Sequence, residues 1–236
     1  MVEQLGGDAK RSYVRQMFTA IAPRYDLLNH VLSLNVDRLW RRRAVRALRW
    51  REAPTGSYLD VCAGTLELGA ELVRQPDFRG RILGADFVVP MLRLGRGKGR
   101  RVLAVGADAL ELPFPDQSFD GCMVGFGVRN LADLDRGLGE MARVLKRGGR
   151  VVILEFSTPS GWPIGPLYRF YFRRVLPLIG RLVSKHTTAY SYLPDSVDRF
   201  PGAPEMAERM RRSGFAKVEY QSLSFGIATL FRGVKA

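Results

Sequence analysis

The chain has 236 residues, of which 46% are hydrophobic and 25% are charged, so it can bury a core and is not a disordered polymer. Its two cysteines cannot form a disulfide framework, which favours a reducing, cytoplasmic environment. The longest uncharged stretch, residues 156–168, is shorter than the roughly 20 apolar residues that a bilayer span needs. The first residues lack the apolar core of a signal peptide, so we expect none.

The charge is basic and unevenly distributed. The chain has 37 basic and 23 acidic side chains, a net charge of +14. Residues 1–56 and 161–236 carry nearly all of the excess, whereas residues 57–160 are close to neutral. Basic flanks suit an anionic partner, either nucleic acid or a membrane surface. A general bias of the composition towards arginine would explain the excess equally well.

Residues 1–56 are predicted to form a basic helical extension. Helical periodicity indicates helices over residues 9–22 and 36–49, and Pro54 and Gly56 end the region. The second helix has an apolar stripe and a basic stripe, made of Val36, Trp40, Ala44 and Leu48 and of Arg38, Arg42, Arg46 and Arg49.

Strands and helices then alternate, which is typical of an α/β, doubly wound, mostly parallel sheet. Residues 217–235 read as a C-terminal antiparallel hairpin that turns near Gly226. We expect a single domain over residues 1–236, in which the long aromatic and basic segment 157–200 is an insertion that faces the substrate or a membrane. The predicted strands are 58–61, 81–86, 101–105, 119–124 and 150–156, and the predicted helices are 68–74, 90–97 and 134–145.

Three successive strands end in residues that suit a nucleoside ligand. Gly64 lies in the turn after the first strand, where a ligand can approach the backbone at the positive end of a helix. Asp86 ends the second strand, where an acid accepts hydrogen bonds from ribose hydroxyls, although it could also simply cap the next helix. Asp108 follows the third strand and could accept from an adenine amine. No Gly-x-Gly-x-x-Gly motif is present, so the favoured ligand has adenosine without a pyrophosphate, namely S-adenosylmethionine.

Longer motifs extend this interpretation. The stretch Asp108–Asp120 is similar to the one that follows the third strand in class I methyltransferases. Further motifs resemble the UbiE/MenG family of quinone-biosynthesis C-methyltransferases over residues 11–235, which implies a Rossmann-like sheet and S-adenosylmethionine as cofactor. These motifs are Tyr25-Asp-Leu-Leu-Asn29, Asp37-Arg-Leu-Trp-Arg41, Phe126-Gly-Val-Arg-Asn130, Glu140-Met-Ala-Arg-Val-Leu-Lys-Arg-Gly-Gly149, Leu154-Glu-Phe-Ser157 and Ala189-Tyr-Ser-Tyr-Leu-Pro-Asp-Ser196.

The resemblance also implies the cofactor contacts and shows where this chain departs from the family pattern. Leu66 stands where the family's first turn usually has glycine, so we expect the backbone there to avoid a positive φ. Glu67 replaces an aspartate, and Gly125 replaces a polar residue. The cofactor-binding candidates are Tyr25, Gly64, Thr65, Asp86, Asp108 and Ala109, and no metal is expected.

The same resemblance implies methyl transfer to a ring carbon of a polyprenyl quinol. That carbon becomes nucleophilic when the neighbouring hydroxyl ionises, and a free phenol has a pKa of about 10, so a cation must assist. Arg129 is the candidate that stabilises the phenolate, and Asn130 the candidate that orients water or a ring oxygen. The alternative for Arg129 is a structural salt bridge with Asp133 or Glu155.

The expected setting is the cytoplasmic face of an anionic membrane, because the polyprenyl tail rests in lipid. Aromatic and leucine side chains of the 157–200 segment could line a tail groove beside headgroup-facing arginines, or they could pack in the core. A nucleic-acid substrate is not expected, because no Asn/Asp-Pro-Pro-aromatic turn follows the fourth strand. A homodimer is possible. Demethylmenaquinol is the favoured substrate, and the open alternatives are a benzoquinol precursor of ubiquinone, another small substrate, or a non-catalytic cofactor-binding subunit. The segment's candidates are Tyr168, Arg169, Phe170, Tyr171, Phe172, Arg173, Arg174, Leu176 and Leu178.

Overall fold

A computed structural model describes residues 7–99, 101–159, 161–171, 174 and 187–236. Its centre is a seven-stranded sheet in the order β3-β2-β1-β4-β5-β7-β6. The first five strands are parallel, whereas the last in the chain runs antiparallel to both of its neighbours. The strands are β1 (Ser57–Val61), β2 (Arg81–Asp86), β3 (Val102–Gly106), β4 (Phe119–Gly125), β5 (Leu145–Phe156), β6 (Phe215–Leu223) and β7 (Ala228–Lys235).

Helices cover both faces and one edge of this sheet. The described helices are α1 (Gly7–Ile21), α2 (Tyr25–Leu32), α3 (Val36–Ala47), α4 (Glu67–Val73), α5 (Val89–Gly95), α6 (Leu134–Val144), α7 (Ile164–Phe170), α8 (Thr187–Arg199) and α9 (Ala203–Arg212). The mostly parallel sheet and the C-terminal hairpin predicted from the sequence are confirmed.

Some boundaries and helices differ from the prediction. Strand β5 starts at Leu145 rather than at residue 150, because Leu145 pairs with Phe119 before the ladder is interrupted by a bulge. Helix α9 was not predicted, although Met206 and Met210 recur at helical spacing on its buried side and Pro204 occupies its first turn.

The core lies on both faces of the sheet because successive strand residues point to opposite sides. On one face, Leu59 and Val124 pack with Leu138 of α6 and Met210 of α9. On the other face, the strands pack against α3 and α4, and the predicted apolar stripe of α3 supplies this contact through buried Trp40, Ala44 and Leu48. The predicted basic stripe of the same helix is exposed.

A third cluster lies at the carboxyl edge of the parallel strands. Val14 and Ile21 of α1 pack with Tyr168 of α7 and with Tyr192 and Val197 of α8. The N-terminal extension and the 157–200 segment therefore meet over the edge at which ligands bind in doubly wound sheets.

Candidate cofactor and substrate site

The turns that follow β1 and β4 have unusual backbone conformations. Cys62, Leu66 and Phe126 adopt left-handed φ angles of 53°, 62° and 60°, and Gly64 has a φ of 51°. Non-glycine residues rarely adopt this region, and strained positions of this kind cluster at functional sites. The two turns lie next to each other because β1 pairs with β4.

The prediction that Leu66 avoids a positive φ is wrong. Its side chain is 1% exposed and fills a slot that two glycines leave open. A Cβ added to Gly84 would lie 2.4 Å from Leu66 Cδ2, and one added to Gly95 would lie 2.8 Å from Leu66 Cγ. Burial of a leucine side chain contributes about 1.5–3 kcal/mol, which outweighs the cost of one left-handed residue, about 1–2 kcal/mol.

Asp86 ends β2 and is held by two backbone amides. Its Oδ2 accepts from the Gly64 amide at 2.8 Å, and its Oδ1 accepts from the Val88 amide at 2.8 Å. Burial raises the pKa of this carboxyl to about 6, although the two amides oppose the shift. The bond to Val88 orders the turn before α5 rather than capping that helix, because Val88 is the N-cap residue and no side chain caps α5. Each oxygen accepts one such bond and has two lone pairs, so the carboxylate keeps acceptor capacity for a ligand.

Asp108 lies at the end of the third strand, as expected, and is engaged by the N-terminal extension. It forms an ion pair with Arg11 of α1, and its Oδ1 accepts from the Leu110 amide at 2.9 Å. The Asp108 side chain is 19% exposed, so it is accessible from the edge of the sheet. The neighbouring Ala109 is buried.

Two small, adjoining cavities lie at this edge of the sheet, the smaller beside Asp108 and the larger beside Tyr25. Most of the predicted site residues line them, but Thr65 and Arg129 do not. The chemistry of the lining suits a nucleoside with a short polar tail, because carboxylates lie beside apolar and glycine positions. The predicted residues that line the cavities are Tyr25, Gly64, Asp86, Asp108, Ala109 and Asn130; the sequence did not single out Arg11, Val14, Phe18, Phe87 and Leu131, and Cys62 was interpreted only as packing.

Thr65 and Glu67 are engaged by side chains from elsewhere in the chain. Thr65 is 2% exposed, and its Oγ1 donates to Asp26 Oδ1 at 2.5 Å. Lys98 pairs with the same Asp26 and with Glu67 Oε1, the latter at 2.6 Å. Tyr25, which precedes Asp26, packs edge-on against Phe18 with ring centroids 5.8 Å apart.

Arg129 forms the salt bridge that was the alternative to its catalytic role. Its Nη1 lies 2.7 Å from Glu155 Oε1, and the two side chains are 5% and 0% exposed. The same Nη1 donates to the Phe126 carbonyl, and Nε donates to Ser196 Oγ at 3.3 Å. The guanidinium also lies 5.4 Å from the ring centroid of Phe156. The Arg129 guanidinium is therefore rigidly held in a buried ion pair with Glu155.

The positive charge of Arg129 acts on the pKa of three tyrosine hydroxyls. Burial raises the pKa of Tyr25, Tyr168 and Tyr192, and in each case the positive charge of Arg129 opposes the rise. Tyr192 donates to Asn130 Oδ1 at 3.1 Å, and Asn130 lines both cavities, so it connects Tyr192 to them. Burial outweighs the charge at each tyrosine, so the phenols stay protonated, while the Arg129 guanidinium acts in the direction that favours a phenolate.

The 157–200 segment has both a packed side and an exposed side where the structure describes it. Tyr168 packs in the third cluster, whereas Trp162, Leu167 and Phe170 are 87%, 69% and 61% exposed. Arg169 and Arg174 are also exposed. The predicted tail-groove candidates Phe172, Leu176 and Leu178 and the predicted headgroup-facing Arg173 lie outside the described residues. Among the helices formed by the described residues, none is long and apolar enough to cross a bilayer.

Comparison with solved structures identifies the class of fold. A Thermotoga maritima protein described as a possible histamine N-methyltransferase aligns with a TM-score of 0.66 at 19% identity, over 94% of this chain and 99% of that one. A phosphoethanolamine N-methyltransferase from Haemonchus contortus, solved with S-adenosylmethionine, aligns with a TM-score of 0.58 at 17% identity, over 81% of this chain and 52% of that one. The protein has the Rossmann-like fold of S-adenosylmethionine-dependent methyltransferases.

Sequence comparison identifies the family. Residues 7–235 match the ubiE/COQ5 methyltransferase family. A Geobacter sulfurreducens protein named ubiquinone/menaquinone biosynthesis C-methyltransferase UbiE is 47% identical over 96% of this chain and 90% of its own length. A Deinococcus radiodurans protein named demethylmenaquinone methyltransferase is 48% identical over 96% of this chain and 94% of its own length. The chain belongs to the ubiE/COQ5 methyltransferase family, and it is a methyltransferase that uses S-adenosylmethionine.

Proposed function

We propose that the protein methylates a ring carbon of a demethylated polyprenyl quinol, and that the ring is the naphthoquinol of demethylmenaquinol. Relatives from Deinococcus radiodurans, Thermus thermophilus and Bacteroides fragilis carry the name demethylmenaquinone methyltransferase. They are 39–48% identical over at least 92% of this chain, which supports a shared substrate class.

In this proposal the cofactor lies along the carboxyl edge of the strands. Asp86 accepts from the ribose hydroxyls with the lone pairs that its two amide partners leave unused, and Asp108 accepts from the adenine amine once Arg11 has released it. Tyr25, Gly64, Ala109 and the buried Thr65 complete this end of the site. S-adenosylmethionine, when bound, supplies an electrophilic methyl group on a sulfonium.

The single observation that carries the proposed chemistry is the buried charge of Arg129 among three phenols. A quinol hydroxyl beside Asn130 would experience the field that opposes the rise in pKa of Tyr25, Tyr168 and Tyr192. Arg129 stabilises the phenolate without taking the proton itself, because a guanidinium does not deprotonate in proteins. Asn130 orients the ring oxygen through the amide that Tyr192 already holds.

The proposed location is the cytoplasmic surface of a membrane, to which the protein binds peripherally. A polyprenyl tail stays in lipid, so the enzyme must reach the ring at the headgroup level. Exposed Trp162, Leu167 and Phe170 next to Arg169 and Arg174 provide apolar and cationic groups for such a contact.

The test is turnover of two quinols that differ only in ring type, in the presence of S-adenosylmethionine and detergent. We expect the demethylated naphthoquinol to gain one methyl group, detected by product mass, at a higher kcat/KM than the benzoquinol. The relatives named for both ubiquinone and menaquinone biosynthesis make the benzoquinol the second candidate. Equal or better turnover of the benzoquinol would reject the proposed ring.

A further inference from the structure

Lys98 joins two segments that flank the cofactor cavities. It follows α5 and pairs with Asp26 of α2 and with Glu67, which starts α4. Its side chain is 20% exposed, and those of Asp26 and Glu67 are 31% and 21% exposed. Such partly buried pairs are screened less by salt than surface pairs are.

The two carboxylates lie behind the walls of the cavities, next in the chain to residues that form or support those walls. Asp26 follows Tyr25, which lines the larger cavity, and it accepts the Thr65 hydroxyl at 2.5 Å. Glu67 follows the strained residue Leu66. Without the ammonium between them, two negative charges would face each other across this junction and would repel.

Lys98 is itself fixed against the first turn. Its backbone amide donates to the Gly95 carbonyl at 2.9 Å. Gly95 in turn packs on the peptide after Thr65, since a Cβ added there would lie 2.5 Å from the Thr65 carbonyl oxygen. The backbone of the loop that carries Lys98 is therefore packed directly against the first turn, which the Lys98 ammonium also contacts through Glu67.

We propose that Lys98 is a positioning residue for S-adenosylmethionine, which holds the first turn and α2 at the separation that the cofactor requires. This inference rests on the cofactor site proposed above and is independent of which quinol is methylated. Lys98 lines neither of the two cavities, so it acts through the walls and affects cofactor affinity rather than the methyl-transfer step.

The experiment compares Lys98→Met, Lys98→Arg and Lys146→Met with the unmodified protein. Lys146 is a matched control, because it pairs with Asp120 at 2.7 Å at the opposite edge of the sheet. Binding of S-adenosylhomocysteine is measured by calorimetry and stability by thermal unfolding. We expect Lys98→Met to weaken binding by about tenfold, a 1.4 kcal/mol loss, while Lys98→Arg and Lys146→Met remain close to the unmodified protein. In turnover, the KM for S-adenosylmethionine should rise with kcat unchanged.

A charge-neutral variant separates positioning from general stability. In the triple variant Lys98→Met, Asp26→Asn, Glu67→Gln, the repulsion is removed and Thr65 keeps an acceptor, so most of the affinity should return. Unchanged binding in Lys98→Met would overturn the proposal, as would a triple variant that regains thermal stability without affinity. Because binding is measured without quinol, failure to methylate either quinol would reject the proposed function alone.

Discussion

The Gly64 amide donates to the carboxylate of Asp86, 22 residues later in the chain, at 2.8 Å. This bond joins the first turn to the end of β2, the two places that the sequence assigns to the cofactor. It also holds the Asp86 carboxylate in a buried position, where burial raises its pKa to about 6. The proposed cofactor site is therefore built around a carboxylate whose pKa burial holds well above its ordinary value.

Replacing Asp86 should weaken cofactor binding in a pH-dependent manner. Asp86→Ala leaves the ribose hydroxyls unpaired, which costs roughly 1–3 kcal/mol, so affinity should fall about tenfold or more. In the unmodified protein, S-adenosylhomocysteine affinity should decline as the pH falls below about 6, because the protonated carboxyl loses acceptor capacity. Calorimetry across pH checks this, and a decline that persists in Asp86→Asn would assign it to another group.

Replacing Arg129 should affect both stability and rate. Arg129→Ala leaves Glu155 buried without its charged partner, which destabilises by about 3–5 kcal/mol. If Arg129 also stabilises the phenolate, turnover should fall ~100-fold or more, with cofactor affinity little changed. Raising the pH should then restore part of the rate, because more quinol ionises unaided. Arg129→Lys should recover little, since an ammonium lacks the planar fork.

Glu155→Gln is the control for the Arg129 experiment. It breaks the same ion pair but leaves the positive charge in place, so stability should fall without the ~100-fold rate loss expected for a lost charge-stabilising donor. Equal rate losses in the two variants would identify Arg129 as a structural residue only. Stability is followed by thermal unfolding and rate by methylated product.

Replacing Leu66 by glycine should destabilise the protein, even though glycine adopts the left-handed φ at this position without strain. The empty slot costs about 2–5 kcal/mol by comparison with other buried leucine truncations, whereas the relieved strain returns about 1–2 kcal/mol. Chemical denaturation checks the net loss. Gly84→Ala should be destabilising for the reciprocal reason, because its Cβ would lie 2.4 Å from Leu66 Cδ2 and would clash with it.

Asp60 should make the protein less stable as the pH rises. Its carboxyl is 1% exposed, and burial raises its pKa to about 7, so the folded state favours the protonated form. The stabilisation of the folded state by the protonated Asp60 carboxyl is fully present below about pH 4 and is lost as the pH rises through about 7. The loss in the free energy of unfolding amounts to at most about 4 kcal/mol. Asp60→Asn should raise stability at pH 8 and flatten this part of the profile; an unchanged profile would contradict the assignment.

Binding to vesicles should depend on both lipid charge and the exposed side of α7. Attraction to anionic vesicles should exceed that to neutral ones and should weaken with salt, since exposed charges are screened within about 8–10 Å. Leu167→Ser should weaken sedimentation with vesicles, whereas Leu103→Ser, at a 57% exposed leucine on the edge strand β3, should not. Equal binding to both vesicle types would indicate that the +14 charge reflects composition alone.

The sequence predicted those parts of the fold that depend on local patterns. Apolar strands, helical stripes and strand-end residues such as Asp86 and Asp108 repeat at spacings that can be read along the chain. The contacts that close the proposed site could not be predicted from the sequence, because they join segments that are distant in the chain. Arg11 with Asp108 and Lys98 with Asp26 are joined only after α1 and α2 pack over the sheet edge.

Leu66 shows why a single substitution in a motif is a weak guide to geometry. The motif's usual glycine suggested that leucine would change the turn. The outcome was decided by Gly84 and Gly95, which lie on other elements and open the slot for its side chain. Compensation of this kind cannot be recognised from the motif alone.

The position of β7 has a consequence for how the sheet is completed during synthesis. This strand follows all the others in the chain, yet it lies between β5 and β6. While the ribosome is still making β7, β5 therefore has a bare edge and β6 has no partner in the sheet. Exposed strand edges promote aggregation, so the nascent chain passes through a vulnerable stage that ends only when β7 is inserted.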